Sequence, residues 1–355
     1  MTMRLEKRAR SSTAALVLAP IGAVVFTLLV SSVLVWWAGA AVTETYGLLL
    51  KGGFGSIFAL SETLTRAIPL ILTGLAVTVA FKARLFNIGA EGQLYVGALA
   101  AVAVGGMHGG TGFALPPMLL FVLMLLASAL AGALLLLGPA LLKARMGVDE
   151  VVTTLLLNFI VLLFVSMMLD GPMKDPTAMG WPQSVALLGE LELSKLIAQT
   201  RVHSGLIGAC VLAALVWVML KYTVFGFDIR AVGANARAAA FAGVPVTRTV
   251  VLVAMLSGAL AGLAGAIEVA GRTSYVTLDM SPGYGYTGIV IAMLAALHPL
   301  AVVAASVFVA GMLVGADSMS RAVGVPTYIA DVIVAASLIA VLVATLMTQY
   351  RVRWK

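Results

Sequence analysis

What most constrains this chain is the recurrence of apolar runs long enough to cross a bilayer. A spanning helix needs about 20 such residues, and ten candidate spans can be drawn. They are Ala14–Trp37, Ile68–Arg84, Gly89–Gly106, Met118–Leu142, Val151–Leu169, Gly205–Leu220, Val250–Ala270, Gly285–Leu297, Leu300–Ala316 and Tyr328–Met347. Only 10% of the residues are charged and 62% are hydrophobic, against about a quarter charged in soluble chains. A soluble domain is therefore excluded, and the expectation is an all-α polytopic membrane protein forming a single transmembrane domain over residues 1–355. The one cysteine, Cys210, lies within an apolar run and rules out an internal disulfide. Each of the three histidines stands alone in sequence, so no zinc site is expected. MTMRLEKRAR precedes a run that continues to Trp37 without a small-residue cleavage pattern, and reads as the start of a retained first span.

Charge distribution sets the orientation. With ten spans and the N-terminus inside, 15 of the 22 Lys and Arg residues fall in 1–13, 82–84, 143–145, 221–248 and 349–355. That bias places both termini and the 221–248 loop in the cytoplasm, and the 170–203 connection outside. The net charge of +7 is thus explained by the membrane rather than by nucleic acid. The short stretch Gly285–Leu297 also reads as half of a re-entrant hairpin.

Polar interruptions are costly in hydrocarbon unless paired or wetted. FNIGAEGQ, residues 86–93, places Asn87, Gly89, Glu91, Gly92 and Gln93 between two apolar runs. It reads either as a helix start, with Asn87 as the cap and Glu91 in the first turn, or as a lining of the solute path. SPGYGYTGIVIAML, residues 281–294, contains Gly283 and Gly285 and repeats the pattern of a glycine-rich break before an apolar helix. If the chain is two inverted five-helix halves, these breaks occupy matching places, which is the sequence signature of a midplane transport site.

Glu150, Thr154 and Asn158 follow at i, i+4 and i+8 of GVDEVVTTLLLNFI, on one helical face about 12 Å long. Such a stripe should face protein or water, not lipid. Ala254, Gly258, Gly262 and Ala266 recur every four residues and mark close helix packing. Glu268 and Asp331 are expected at outer membrane ends, in water. Within FDIRAVGANARAAAFAGVPVTR, the alanine run Ala236–Ala242 predicts a short helix ended by Gly243 and Pro245, a docking element for a cytoplasmic partner.

FNIGAEGQ, GVDEVVTTLLLNFI and IRAVGANARAAAFAGV, supported by GYGYTGIVIAML, resemble the permease subunits of bacterial ABC importers for simple sugars, branched-chain amino acids and nucleosides. The likeness runs from about residue 60 to 345 and is nearest to the larger permease of nucleoside importers. It implies a transport subunit of the cytoplasmic (inner) membrane, not an enzyme, with no cofactor of its own because a separate ATPase subunit binds ATP. Its implied partners are that ATPase, a second permease and an extracytoplasmic solute-binding lipoprotein. By the same resemblance, Arg230, Gly233, Asn235, Arg237 and Gly243 would couple to the ATPase. Asn87, Gly89, Glu91, Gly92, Gln93, Glu150, Thr154, Asn158, Gly283 and Gly285 would border the translocation path. Nucleosides are the implied solutes, with riboflavin or a simple sugar as alternatives. A membrane-embedded enzyme would need clustered acids or histidines near one face. An ion-driven transporter would use Glu91 as its proton carrier.

Overall fold

The structure is a computed structural model and describes residues 3–7, 13–37, 39–106, 115–324 and 327–354. Helices dominate: α1 (Thr13–Trp37), α2 (Val42–Phe54), α3 (Ile57–Lys82), α4 (Ala90–Gly105), α5 (Pro117–Met146), α6 (Glu150–Asp170) and α7 (Gly205–Tyr222). Then come α8 (Val224–Ala234), α9 (Ala236–Phe241), α10 (Val246–Glu268), α11 (Tyr284–Leu294), α12 (Pro299–Val323) and α13 (Thr327–Gln349). The two ends add an antiparallel ribbon of β1 (Met3–Lys7) and β2 (Tyr350–Trp354), with Leu5 opposite Val352. Among the described residues six helices are long and apolar enough to cross a membrane, or seven if α1 and α2 form one bent span.

The chain divides into two compact units. In the first, Met1–Thr63 with Phe308–Lys355, α1 lies along α13. Small residues set the approach of α2 to α12: a Cβ on Gly53 would strike the backbone of Gly311, and one on Gly315 that of Leu49. The Thr63 hydroxyl donates to the Gly53 carbonyl at 2.7 Å.

The second unit, Leu64–Val307, is built around α10. Its glycines admit two neighbours at backbone distance. Gly258 and Gly262 meet Gly132 and Ser128 of α5, while Gly262 and Gly265 meet Gly97 and Leu94 of α4. The four-residue repeat of small side chains is therefore a packing seam, as its spacing implied. Segment 64–82 of α3 is buried on every side, with Ile68, Leu72, Leu75 and Val79 fully covered. By contrast, α5, α6 and α7 leave most of their apolar surface outward, the surface that lipid would cover. The 171–204 connection folds over one end, where Leu187 and Leu191 cluster with Met124, Ala101, Ala266 and Ala270.

Two expectations need correction. First, α3 begins at Ile57, eleven residues before the expected Ile68. Ser61, Thr63, Thr65 and Pro69 resemble a loop, but the helix runs through them and its hydroxyls bond back to it, Ser61 to the Phe58 carbonyl at 2.7 Å and Thr73 to the Pro69 carbonyl at 3.0 Å. Second, α4 and α11 are only 16 and 11 residues long. At 1.5 Å per residue they reach about 24 and 17 Å, short of the roughly 30 Å hydrocarbon core. Neither helix is long enough by itself for a full span.

Candidate functional site

The stretch 86–93 is held by the polar stripe of α6. Glu150 Oε1 accepts from Phe86 N at 3.0 Å, and Thr154 Oγ1 from Ile88 N at 3.2 Å. Asn158 accepts from Gly92 N at 2.9 Å through Oδ1 and donates to the Ile88 carbonyl at 2.8 Å through Nδ2. A helical repeat of four residues thus matches the pitch of an irregular backbone segment that has no ladder of its own, and supplies its missing partners. Lys143 locks the arrangement by pairing with Glu150 and donating to the Arg84 carbonyl at 2.6 Å.

A second group of polar contacts lies on the other side of the stretch. Asn87 and Gln93 exchange amide hydrogen bonds, Nδ2 to Oε1 at 2.9 Å and Nε2 to Oδ1 at 3.0 Å. Asn87 also donates to Ser257 Oγ of α10 at 3.1 Å, and Ser257 donates to the Ala76 carbonyl at 2.7 Å. Four elements meet there: α3, the break, α4 and α10. Asn87 is not the cap of α4; Gly89 occupies that position, and Asn87 Oδ1 accepts from Gly89 N at 2.9 Å. The physical reason is that Asn87 sits two residues early, where its side chain closes a local turn.

Glu91 lies in the first turn of α4, as expected, but its carboxylate serves another helix. Gly285 N donates to Glu91 Oε2 at 2.6 Å, so one helix start receives the charge of the other. A Cβ on Gly285 would collide with the backbone of Ala90 and Glu91. Gly283 opens α11 with φ of +86°, a conformation glycine takes without strain. Tyr286 of α11 accepts from Asn158 Nδ2 at 3.1 Å. Tyr95 of α4 accepts from Ser281 N at 3.3 Å and donates to the Leu278 carbonyl. All ten residues expected along the path, Gly283 included, belong to this junction of α4, α6 and α11 with the segment before α4. Ser257, Tyr95 and Tyr286 complete it without having been singled out in sequence; the lone hydroxyl in MLSGALAG and the tyrosines flanking the glycine breaks were the available signals.

Glu268 requires correction. It is 1% exposed rather than solvated, and it pairs with Arg272 at 2.6 Å across a π-helical turn, residues 269–273. Arg272 also donates to the Tyr284 hydroxyl at 3.0 Å. The reason is that the 171–204 connection covers this end of α10, with Leu193 N bonded to the Ala270 carbonyl at 2.8 Å. The Asp331 side chain lies outside the described residues.

The loop between α7 and α10 forms two short helices. Asn235 caps α9, accepting from Arg237 N and Ala238 N, each at 3.1 Å. Gly243 ends it with φ of +87°. Gly233 presses on the Lys82 carbonyl so closely that a Cβ has no room. Arg230, Asn235 and Arg237 are exposed, and Phe241 is 97% exposed. The five residues expected to couple to the ATPase lie apart from the polar junction; Gly233 meets Lys82 at the end of α3, and α10, which carries Ser257, packs against both α8 and α9.

Sequence comparison gives these observations their context. The chain is 34% identical to the guanosine ABC transporter permease protein NupP of Bacillus subtilis, over 95% of this chain and 94% of that one. It is 37% identical to the glucose ABC transporter permease protein TsgB13 of Haloferax volcanii, over 87% and 82%. The nucleoside ABC transporter permease protein NupB of Lactococcus lactis is 31% identical over 90% and 89%. No solved structure gives a significant match. The family model described as branched-chain amino acid transport system, permease component, matches residues 59–342, and this chain belongs to that family: it is an ABC transporter permease, a transport subunit that works with an ATPase and a substrate-binding partner.

Proposed function

We propose that the chain is the larger of two permeases in a bacterial nucleoside importer of the cytoplasmic membrane. It would receive nucleosides from an extracytoplasmic lipoprotein and be driven by a separate ATPase. The observation that carries the solute class is the full-length likeness to guanosine and nucleoside permeases. A junction made of amides, hydroxyls and backbone groups, with its carboxylates already engaged, suits a neutral, hydroxyl-bearing solute better than a charged one. The glucose permease relative favours a simple sugar as the second reading.

In this proposal the chain makes ten passages in two inverted halves, counting α4 and α11 as broken helices that meet at their starts. Both termini are cytoplasmic, as the Lys and Arg bias implies; the β1–β2 ribbon supports their lying on one face, which an even number of passages requires. Asn87, Gly89, Glu91, Gly92, Gln93, Glu150, Thr154, Asn158, Gly283 and Gly285 border the path. Arg230, Gly233, Asn235, Arg237 and Gly243 form the ATPase contact. Movement of α8 and α9 would reach the path through Gly233 and the Lys82 carbonyl, four residues before Phe86.

Titration of the partner lipoprotein with guanosine, adenosine, riboflavin and glucose tests the solute class. Nucleosides should bind at least tenfold more tightly than the others. Tighter binding of glucose or riboflavin would replace this reading.

A further inference from the structure

Where α3 and α7 end and α12 begins, Lys82, Lys221 and Arg230 converge with His298 on a cavity of about 270 Å³ floored by Trp217, Leu220 and Pro299. Among the described residues no carboxylate pairs with Lys82, Lys221 or Arg230. Lys221 Nζ is held 5.0 Å from the Trp217 ring centre and 4.9 Å from that of Tyr222, contacts that favour a cation at a fixed place. The positive-inside bias accounts for cations on such loops, but not for their convergence on a concave apolar floor without a counter-charge. A cavity slightly below the roughly 300–1,000 Å³ of small-molecule sites fits a phosphate headgroup better than a whole nucleotide.

The outer face of α7 identifies the source of that phosphate. Cys210, Ala214, Trp217 and Lys221 fall at i, i+4, i+7 and i+11, on one helical face that is exposed or half-buried throughout. Val211, Leu215 and Val218 flank it and are exposed. An apolar strip therefore runs along the helix and ends at the charged mouth. We propose that Lys82 and Lys221 bind the phosphate of an anionic glycerophospholipid whose acyl chains lie along α7, with Arg230 at the mouth of the cavity beside the ATPase contact. The basic end and the apolar strip of one lipid match the two parts of this surface.

The test uses the transporter assembled with its second permease and ATPase. Phosphatidylglycerol and phosphatidylcholine are titrated in detergent and counted by native mass spectrometry, with glycerol 3-phosphate as the soluble competitor. Phosphatidylglycerol should be retained and phosphatidylcholine lost. K82Q/K221Q should raise the half-saturating phosphatidylglycerol concentration roughly thirtyfold, and each single glutamine variant roughly fivefold, at about one unit of surface attraction per cation. K221R should bind as the unsubstituted protein does, and a monodisperse complex confirms folding. Equal retention of both lipids, wild-type titration by K82Q/K221Q, or displacement by glycerol 3-phosphate at comparable concentration would each overturn the proposal. So would absence of phosphatidylglycerol from the complete complex alone, which would mean that a side chain of the ATPase fills the site.

Discussion

Gly285 donates its backbone N–H to Glu91 across 194 positions of sequence, at 2.6 Å. Two helices too short to span are thereby joined start to start by one carboxylate. Glu91 is engaged as an acceptor, and the proposed function makes it a positioning group. E91Q keeps an acceptor and should retain stability and uptake within about threefold. E91A leaves a buried N–H unpaired and should cost about 1–3 kcal/mol, read as a lower Tm together with lost uptake. Loss of uptake in E91Q at unchanged Tm would instead make Glu91 a proton carrier.

Asn158 joins α6 to two other segments through three hydrogen bonds. N158A should destabilise the protein by about 2–4 kcal/mol, more than T154V at about 1 kcal/mol, since it orphans both a donor and an acceptor. Thermal unfolding of the two purified variants makes the comparison. A smaller effect for N158A would mean that water replaces these contacts readily.

Gly233 and Gly285 both sit where a Cβ meets backbone. A methyl group forced into such a contact costs about 1–3 kcal/mol or moves the helices apart. G233A should lower ATP-driven uptake at least tenfold while the purified permease remains folded, because it displaces α8 from the end of α3. G285A should lower Tm as well, because its contact holds α11 against the start of α4. ATPase stimulation and unfolding curves, measured on both, distinguish these outcomes.

His203 lies outside the spanning helices, buried against Gly205 and Gly271. Burial disfavours its charged form and lowers its pKa to about 4, against about 6.5 in the unfolded chain. The unfolded state therefore binds the proton first as pH falls. Stability is full above about pH 6.5 and declines toward pH 4, by at most about 3 kcal/mol. H203F should flatten that part of the Tm profile, and an unchanged slope in H203F would assign it to another group.

The rare polar residues were the legible part of this site. FNIGAEGQ and the stripe Glu150, Thr154, Asn158 stand out because hydrocarbon makes every unpaired polar group expensive. What they bind was not legible: the stripe holds the backbone of residues 86–92, and peptide groups carry no sequence signature. Ser257 and Tyr286 escaped notice because single hydroxyls are ordinary in membrane helices. Glu268 was misplaced for a related reason, since its cover comes from a connection whose fold depends on distant contacts such as Leu187 and Met124. The shortness of α11 was partly legible, since Gly285–Leu297 is itself a short stretch, whereas its end at Leu294 was not, because apolar residues continue past it.

The most direct measurement is guanosine uptake into proteoliposomes containing the assembled transporter and its binding lipoprotein. With ATP supplied to the ATPase face, labelled guanosine should accumulate and G233A should lower accumulation at least tenfold. The account is contradicted if uptake proceeds without ATP under an imposed proton gradient, or if glucose accumulates and guanosine does not.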